Sequence, residues 1–440
     1  MEYLRKLIEE AGIAGAGGAG FPAHMKLSDR ADTVIVNGAE CEPLLRVDQQ
    51  LMAKRAGDLA AGLDMMVRAM GAERGIIALK GKYREAAAAL ETAVSGYREL
   101  SVFEMKNFYP AGDEQVMVCD VTGRIVPEGD IPLAVGCVVN NVETVLNIYD
   151  AAASGLCVTD KWITVTGAVR RPCTVKVPVG ITAAEALELA GGAETDRYRI
   201  VNGGPMMGKL MAPGDVITKT TKGLIVLPEH HRLLNSLDRD IGSVLREAKT
   251  ACMHCNQCTD VCPRNMLGHR LDPARLMRIA SYGSLCDTTA SITGAYLCVE
   301  CRLCEYGCVH DLQPWRVNRM LKEQLRAAGI PADHRNVPDH VHPFREYRRF
   351  PVSKLVRMLG LTRYDRPAPI AGAYCDFARV TLLMKQHAGV PSEPVVKTGD
   401  RVEKGDLVGR IPEGRMGTNI HASISGRVTA ADKDKVVIER

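Results

Sequence analysis

Aromatic residues are scarce, at 5% of the 440-residue chain. So few rings argue against a surface that binds nucleic acid by stacking on its bases. An excess of one charge is lacking too. Lys and Arg number 56 against 52 Asp and Glu, a formal net charge of +4. That is small for the size and gives no reason to expect a nucleic-acid partner. No run of about 18 apolar residues occurs, so no transmembrane segment is expected. The opening MEYLRKLIEEAG carries no apolar stretch of the signal-peptide kind, and a cytoplasmic location is the expectation. The rest of the composition is globular, 46% hydrophobic and 25% charged. The length exceeds what one core supports and implies roughly three or four domains.

Cysteine, by contrast, is plentiful: there are 15. Eight fall in two runs, Cys252-x-x-Cys255-x-x-Cys258-x-x-x-Cys262-Pro263 and Cys298-x-x-Cys301-x-x-Cys304-x-x-x-Cys308. Zinc sites usually pair two C-x-x-C units. The longer form is that of bacterial two-cluster ferredoxins, in which each run gives three thiolates to one [4Fe–4S] cluster and its fourth to the other. On that pattern Cys252, Cys255, Cys258 and Cys308 hold one cluster, and Cys298, Cys301, Cys304 and Cys262 hold the second. One-electron transfer follows as the expected business of the chain. Val309 stands where Pro263 stands in the first run, a local difference that bears on solvent exposure and potential. The remaining cysteines (Cys41, Cys119, Cys137, Cys157, Cys173, Cys286 and Cys375) lie in apolar or small-residue contexts and read as buried thiols of a reducing compartment.

The chain divides by pattern. Residues 1–155 alternate strand-like and helix-like stretches: a helix around Leu4, Leu7 and Ile8, a strand over 33–36, a helix over 51–72, a strand over 75–79 and a helix over 86–94. Such alternation predicts a largely parallel sheet. Residues 156–230 predict a small β-grasp domain, with strands at 162–167, 175–179 and 224–227 and a helix over 182–190. Residues 244–330 hold the cysteine runs among helices. Residues 331–369, rich in Pro, His and Arg, predict a linker or wrapping segment in which His334, His340 and His342 are solvated. Residues 370–440 are β-rich, and the stretch 395–406 resembles the strand–turn–strand of biotinyl and lipoyl carrier domains. The hairpin tip of those carriers holds a lysine, which 412–417 lacks. A barrel-sandwich domain without a swinging arm is predicted.

Near the start lies Gly15-Ala16-Gly17-Gly18-Ala19-Gly20-Phe21-Pro22. Its glycines let backbone N–H groups approach an anionic or planar group closely. It satisfies G-x-G-x-x-G but follows a helix instead of a strand, the wrong context for a Rossmann fingerprint. It is one of an ordered set with 37–43 (NGAECEP), 109–114 (YPAGDE) and 140–144 (NNVET). This set resembles the NADH-oxidising flavoprotein subunit of respiratory complex I and the RnfC component of Rnf electron-transport complexes. The resemblance implies non-covalent FMN lined by Gly17, Gly18, Lys26, Asn37, Gly112, Asp113, Asn140, Asn141 and Thr144. It also implies that Phe21, Glu40, Glu42 and Glu114 face NADH. Complex I-type flavoproteins carry Asp where this chain has Ala39, so the resemblance supplies one flavin contact fewer here.

RnfC proteins place the carrier-like domain before the flavin domain, whereas here it comes last. That order, with VNGAECEPLLRVDQQLM, FYPAGDEQV, NGGPMMG, KTTKGLIVLP and HASISGRV, resembles the cobalamin reductase family of propanediol-utilisation microcompartments. The resemblance spans nearly the whole chain. It implies a multidomain α/β plus α+β protein: a Rossmann-like FMN domain, a β-grasp (SLBB-type) domain, a helical ferredoxin domain and a barrel-sandwich domain. It further implies an NADH-dependent oxidoreductase that passes electrons through FMN and two [4Fe–4S] clusters to cobalamin, inside a microcompartment. No D-x-H-x-x-G run for a corrin lower ligand is present, so a deep corrin pocket is not expected. Two other readings remain open: an RnfC-like relay feeding a partner reductase or redox subunit, and a ferredoxin-like partner that has lost NADH oxidation, motivated by Ala39.

Overall fold

The computed structural model describes residues 1–18, 20–282, 292–374 and 376–440; Ala19, Cys286 and Cys375 lie outside the described residues. The first domain is built on four parallel strands: β1 (Thr33–Gly38), β2 (Arg74–Lys80), β3 (Leu100–Met105) and, after the short β4 (Phe108–Tyr109), β5 (Cys137–Asn141). Their order is β3-β2-β1-β5. Val34, Ile35 and Val36 are fully buried, as expected of parallel strands covered on both faces. The predicted 51–72 helix is two, Val47–Lys54 and Ala56–Met70, broken at Arg55 where φ is −126°. Leu4 and Ile8 of the N-terminal helix Glu2–Glu10 pack into this core ahead of the glycine loop.

Strands β6 (Asp160–Gly167), β7 (Cys173–Pro178), β8 (Tyr198–Asn202), β9 (Lys209–Met211) and β10 (Gly223–Pro228) form the second sheet. The predicted helix is Ala183–Leu189. Its Thr182 cap and Glu185 satisfy each other's backbone donors reciprocally, the capping-box signature. Helices Ile241–Ala251, Pro273–Tyr282 and Pro314–Ala327 frame the two cysteine runs. Within 331–369, the second half is folded. β11 (Phe350–Pro351) pairs with β4, and the helix Val352–Met358 follows. Leu355, Leu361 and Tyr364 of this stretch are buried in one cluster with Leu44 of the first domain, Met206 of the second and Leu303 of the cysteine-rich part.

The C-terminal region contributes β12 (Ile370–Ala373) to the edge of the second sheet, beside β7. Its own strands are β13 (Arg379–Leu383), β14 (Glu393–Pro394), β15 (Arg401–Val402), β16 (Leu407–Arg410), β17 (Ile420–His421), β18 (Gly426–Ala431) and β19 (Lys435–Glu439). They form two small sheets, β13-β19-β18-β15 and β14-β16-β17. Val380, Leu382, Val408 and Ile438 share one apolar cluster with Ile163, Val175 and Leu224 of the second domain. Among the described residues no helix is long and apolar enough to cross a membrane.

Candidate redox site

The chain winds from β1 through β2 to β3 on one side and places β5 on the other. The order therefore reverses between β1 and β5, and crevices at such switch points, beyond the carboxyl ends of the strands, are where open α/β sheets bind ligands. Asn37 pairs with Asn141, and Val36 with Asn140, at those ends. The glycine loop folds back over the same crevice, because Ala16 N–H donates to Thr144 Oγ1 at 3.0 Å. A Cβ on Gly17 would lie 2.8 Å from Asn141 Nδ2, whereas one on Gly18 would meet nothing within 4 Å. The loop backbone is thus pressed to the crevice wall at Gly17 and open at Gly18.

Other implied flavin residues converge here. Asn37 Nδ2 donates to Gly112 O at 2.8 Å. Lys26 Nζ donates to Val139 O at 2.7 Å and to Glu114 Oε1 at 2.8 Å. Asn140 is buried, and its Nδ2 has no protein partner. An unpaired buried amide at a switch-point crevice, beside open glycine N–H groups, fits a planar, polar group such as FMN. Asn141 is more structural. Its Oδ1 caps the helix Val142–Ser154, and its Nδ2 donates to Asp48. Ala39 is fully buried beside Cys137 and Val139.

The four residues implied for NADH divide. Phe21 is 36% exposed, and Glu114 reaches the crevice through Lys26. Glu40 and Glu42 have both carboxylate oxygens engaged by the protein. Glu40 accepts from the N–H groups of Asp48 and Gln49 and from Gln49 Nε2. Glu42 accepts from Met206 N–H at 2.8 Å and Met207 N–H at 3.0 Å, in the NGGPMMG loop of the second domain. Burial pushes the Glu42 carboxyl up to about 7, against those two N–H groups and Arg302.

Sequence reasoning missed the support beneath the loop. Glu143, Lys161, Lys222 and Asp48 form a buried charge network. Lys161 and Lys222 both bind Glu143, and Lys222 also binds Asp48 at 2.6 Å. Lys161 Nζ continues to Ala16 O at 3.3 Å. Burial drives the Lys161 ammonium down to about 8, with Glu143 opposing. Burial would raise the Glu143 carboxyl, but the two lysines outweigh it and hold it low. The place of Glu143 within the Asn-Asn-Val-Glu-Thr segment was the available signal. Its two lysine partners lie in another domain.

The eight run cysteines line two cavities. Cys262, Cys298, Cys301 and Cys304 surround one, together with Arg264, Arg302, Trp315 and Asn318. Cys252, Cys255, Cys258 and Cys308 surround another, with His254, Met277 and His310. Each quartet takes three sulfurs from one run and one from the other. Among the described residues no group of three or more His, Cys, Asp or Glu side chains is arranged to hold a single metal ion. Burial, reinforced by Cys308, Cys252 and Cys255, pushes the Cys258 thiol up to about 12. Four thiols held together in this way favour a positively charged partner that takes them as thiolates. The first cavity adjoins the flavin domain: Arg264 binds Asp113 at 2.9 Å, and Tyr109 Oη donates to Cys301 O at 3.0 Å. The second opens outward at exposed Cys255.

Comparison with known proteins agrees with this layout. Residues 8–150 match the Nuo51 FMN-binding domain, 162–210 the SLBB domain, 251–313 the 4Fe-4S dicluster domain and 367–439 the RnfC barrel sandwich hybrid domain. Cobalamin reductase PduS of Citrobacter freundii is 43% identical over the whole chain and 97% of its own length. The chain belongs to the PduS family. PduS of Salmonella typhimurium is 42% identical over the same extent. The C component of the Na(+)-translocating ferredoxin:NAD(+) oxidoreductase complex of Acetobacterium woodii is 32% identical over 60% of this chain and 58% of its own. The PduS-type chain is thus an oxidoreductase whose cofactors are FMN and a pair of [4Fe–4S] clusters. Of the scattered cysteines, Cys119, Cys137 and Cys173 are buried, while Cys41 and Cys157 are half-buried.

Proposed function

We propose that the chain is an NADH-dependent cobalamin reductase. The observation that carries the reading is the end-to-end identity with two cobalamin reductases, joined to two cavities that each gather four cysteines. When bound, FMN accepts a hydride and the clusters relay single electrons. Gly17, Gly18, Lys26, Asn37, Gly112, Asp113, Asn140, Asn141 and Thr144 would hold FMN. Of these, Asn140 offers a free donor, while Asn37, Asn141 and Thr144 set the walls. Phe21 and Glu114 would meet the nucleotide of NADH. Glu40 and Glu42, whose oxygens already serve backbone donors, would act by shaping the Asn37–Pro43 loop. Cys262, Cys298, Cys301 and Cys304 would ligate the cluster on the flavin side, and Cys252, Cys255, Cys258 and Cys308 the one on the outer side. The acceptor would approach near Cys255, where Met253 is 69% and Val309 61% exposed. A microcompartment location with a shell partner is the setting that the sequence resemblance supports.

The test is an anaerobic assay of the reconstituted chain with FMN, NADH and cob(III)alamin, with a dye acceptor in parallel. Reduction of both acceptors is expected, and Cys258→Ser should slow cobalamin reduction at least tenfold. Dye reduction alone would favour the second reading, a relay protein awaiting its partner. That reading is supported by the RnfC-type domain and the Acetobacterium relative.

A further inference from the structure

The two cysteine runs repeat each other in backbone as well as spacing. His254 and Asn256 take left-handed φ values of 56° and 62°, and Glu300 and Arg302, at the same places in the second run, take 56° and 64°. Each run is followed by a helix that opens on proline, Pro273 in one case and Pro314 in the other. The lining of the cavities therefore corresponds position by position. Asn256, Ala274, Met277 and His310 line the outer cavity. Arg302, Trp315, Asn318 and Arg264 stand at the matching places of the inner one.

The exchange of Met277 for Asn318 is chemically the sharpest. Asn318 is fully buried, and neither its Nδ2 nor its Oδ1 has a hydrogen-bond partner in the protein. Natural interiors rarely keep an amide in that condition unless something outside the chain pairs with it. Arg302, 3% exposed, repeats the pattern. Its Nη atoms bond to Pro205 O, Met206 O, Ser236 and Glu305, while its Nε has no partner. Both unpaired donors belong to residues that line the cavity of Cys262, Cys298, Cys301 and Cys304.

We propose that Asn318 Nδ2 donates a hydrogen bond to a sulfur of the inner cluster, with Arg302 Nε as a second donor, and so raises the reduction potential of that cluster alone. The proposal rests on the cysteine ligation given above. Reduction adds an electron and makes the sulfurs better acceptors. A donor aimed at them stabilises the reduced form and moves the potential up. Met277, the matching residue of the outer cavity, has no N–H or O–H to give. Asn318 touches no substrate and acts through the N–H dipole it presents to the cluster.

The experiment is an anaerobic redox titration of the reconstituted full chain, followed by EPR, with iron and sulfide assayed alongside. Cys301→Ser and Cys258→Ser assign each midpoint to a cavity. Asn318→Leu and Asn318→Met are expected to keep full iron and to lower the inner midpoint alone. The expected size is a tenfold change in the reduced-to-oxidised ratio at fixed potential, about 59 mV for one electron. Met277→Asn is expected to raise the outer midpoint. Full iron with both midpoints unmoved in both Asn318 variants would overturn the proposal. Loss of half the iron from both would mark Asn318 as a packing residue and overturn it equally. Failure of the wild-type chain to hold two clusters, or loss of the same midpoint in both cysteine variants, would instead refute the ligation on which it rests.

Discussion

Lys161 shows how a single side chain links two domains to the flavin crevice. It is 2% exposed on β6, binds Glu143 of the first domain and donates to Ala16 of the glycine loop. Removing one partner of a buried pair leaves an uncompensated charge, at about 3–5 kcal/mol. Lys222 stays on Glu143, so Lys161→Met is expected near the lower end of that range. It should also weaken FMN binding by releasing Ala16. Thermal melts and flavin fluorescence titration check both effects. Adding Glu143→Gln should restore part of the lost stability, and a double variant no more stable than Lys161→Met would rule out the charge explanation. At this scale the sequence was legible where ligand chemistry is local. The cysteine spacing grouped the thiols into the same two quartets that line the two cavities, since each quartet takes three residues of one tight turn and one returning residue. It could not name Asn318, whose place depends on how the helix after Pro314 packs across the other run. Nor could it distinguish Glu42 from a nucleotide ligand, because the donors that occupy Glu42, Met206 and Met207, lie far along the chain.

At the scale of elements, the glycine loop has a roof as well as a floor. Gly20 O accepts from Ala388 N–H at 3.0 Å. Its own φ is +69°, and a Cβ there would stand 2.7 Å from Thr220 Cγ2 and 3.1 Å from His387 Cα. Both conformation and space demand glycine. Gly20→Ala is expected to push the 386–388 segment off the loop and to cut NADH:dye turnover, while leaving the iron content unchanged. Turnover equal to wild type would show that the roof does not shape the nucleotide site. Strands with strong β-branched runs, such as Thr33–Gly38 and Gly223–Pro228, could be read ahead. The edge strand Leu100–Met105, with Ser101 exposed near its start, carried a weaker pattern. The second half of 331–369 has little periodicity because its buried Leu355, Leu361 and Tyr364 pack among residues of three other domains.

For the whole molecule, the C-terminal barrel is a fixed part of the body. It shares an apolar cluster with the second domain, and its 386–390 and 416–421 segments meet the glycine loop and the end of the first helix. Lys219 anchors that junction, donating to Gly12 O at 2.7 Å and Asn419 O at 2.6 Å. Burial drives its ammonium down to about 7. Beside it, burial lowers His387 to about 4 and His421 to about 3. Neutral His387 is satisfied on both nitrogens, by Val390 O at 3.0 Å and Thr418 Oγ1 at 2.9 Å. A proton on the nitrogen facing Thr418 would turn that hydroxyl from donor to acceptor and place a charge in a buried site. Both histidines have folded values below the ordinary 6.5, so the unfolded chain takes up protons first as pH falls. Their contribution to stability is complete above about pH 6.5 and is lost progressively toward pH 4 and below. Lys219 works in the same direction but over a higher window, between 10.5 and about 7, so it adds no further change under acid. The junction is therefore expected to weaken between about pH 6.5 and 5, before the carboxylate pairs elsewhere titrate. Thermal melts at about pH 7.5 and 5.0 should show a larger drop for the wild-type chain than for the His387→Gln, His421→Asn double variant, which lacks the junction's two histidines and keeps only Lys219. Equal drops in the two proteins would place the acid sensitivity outside this junction.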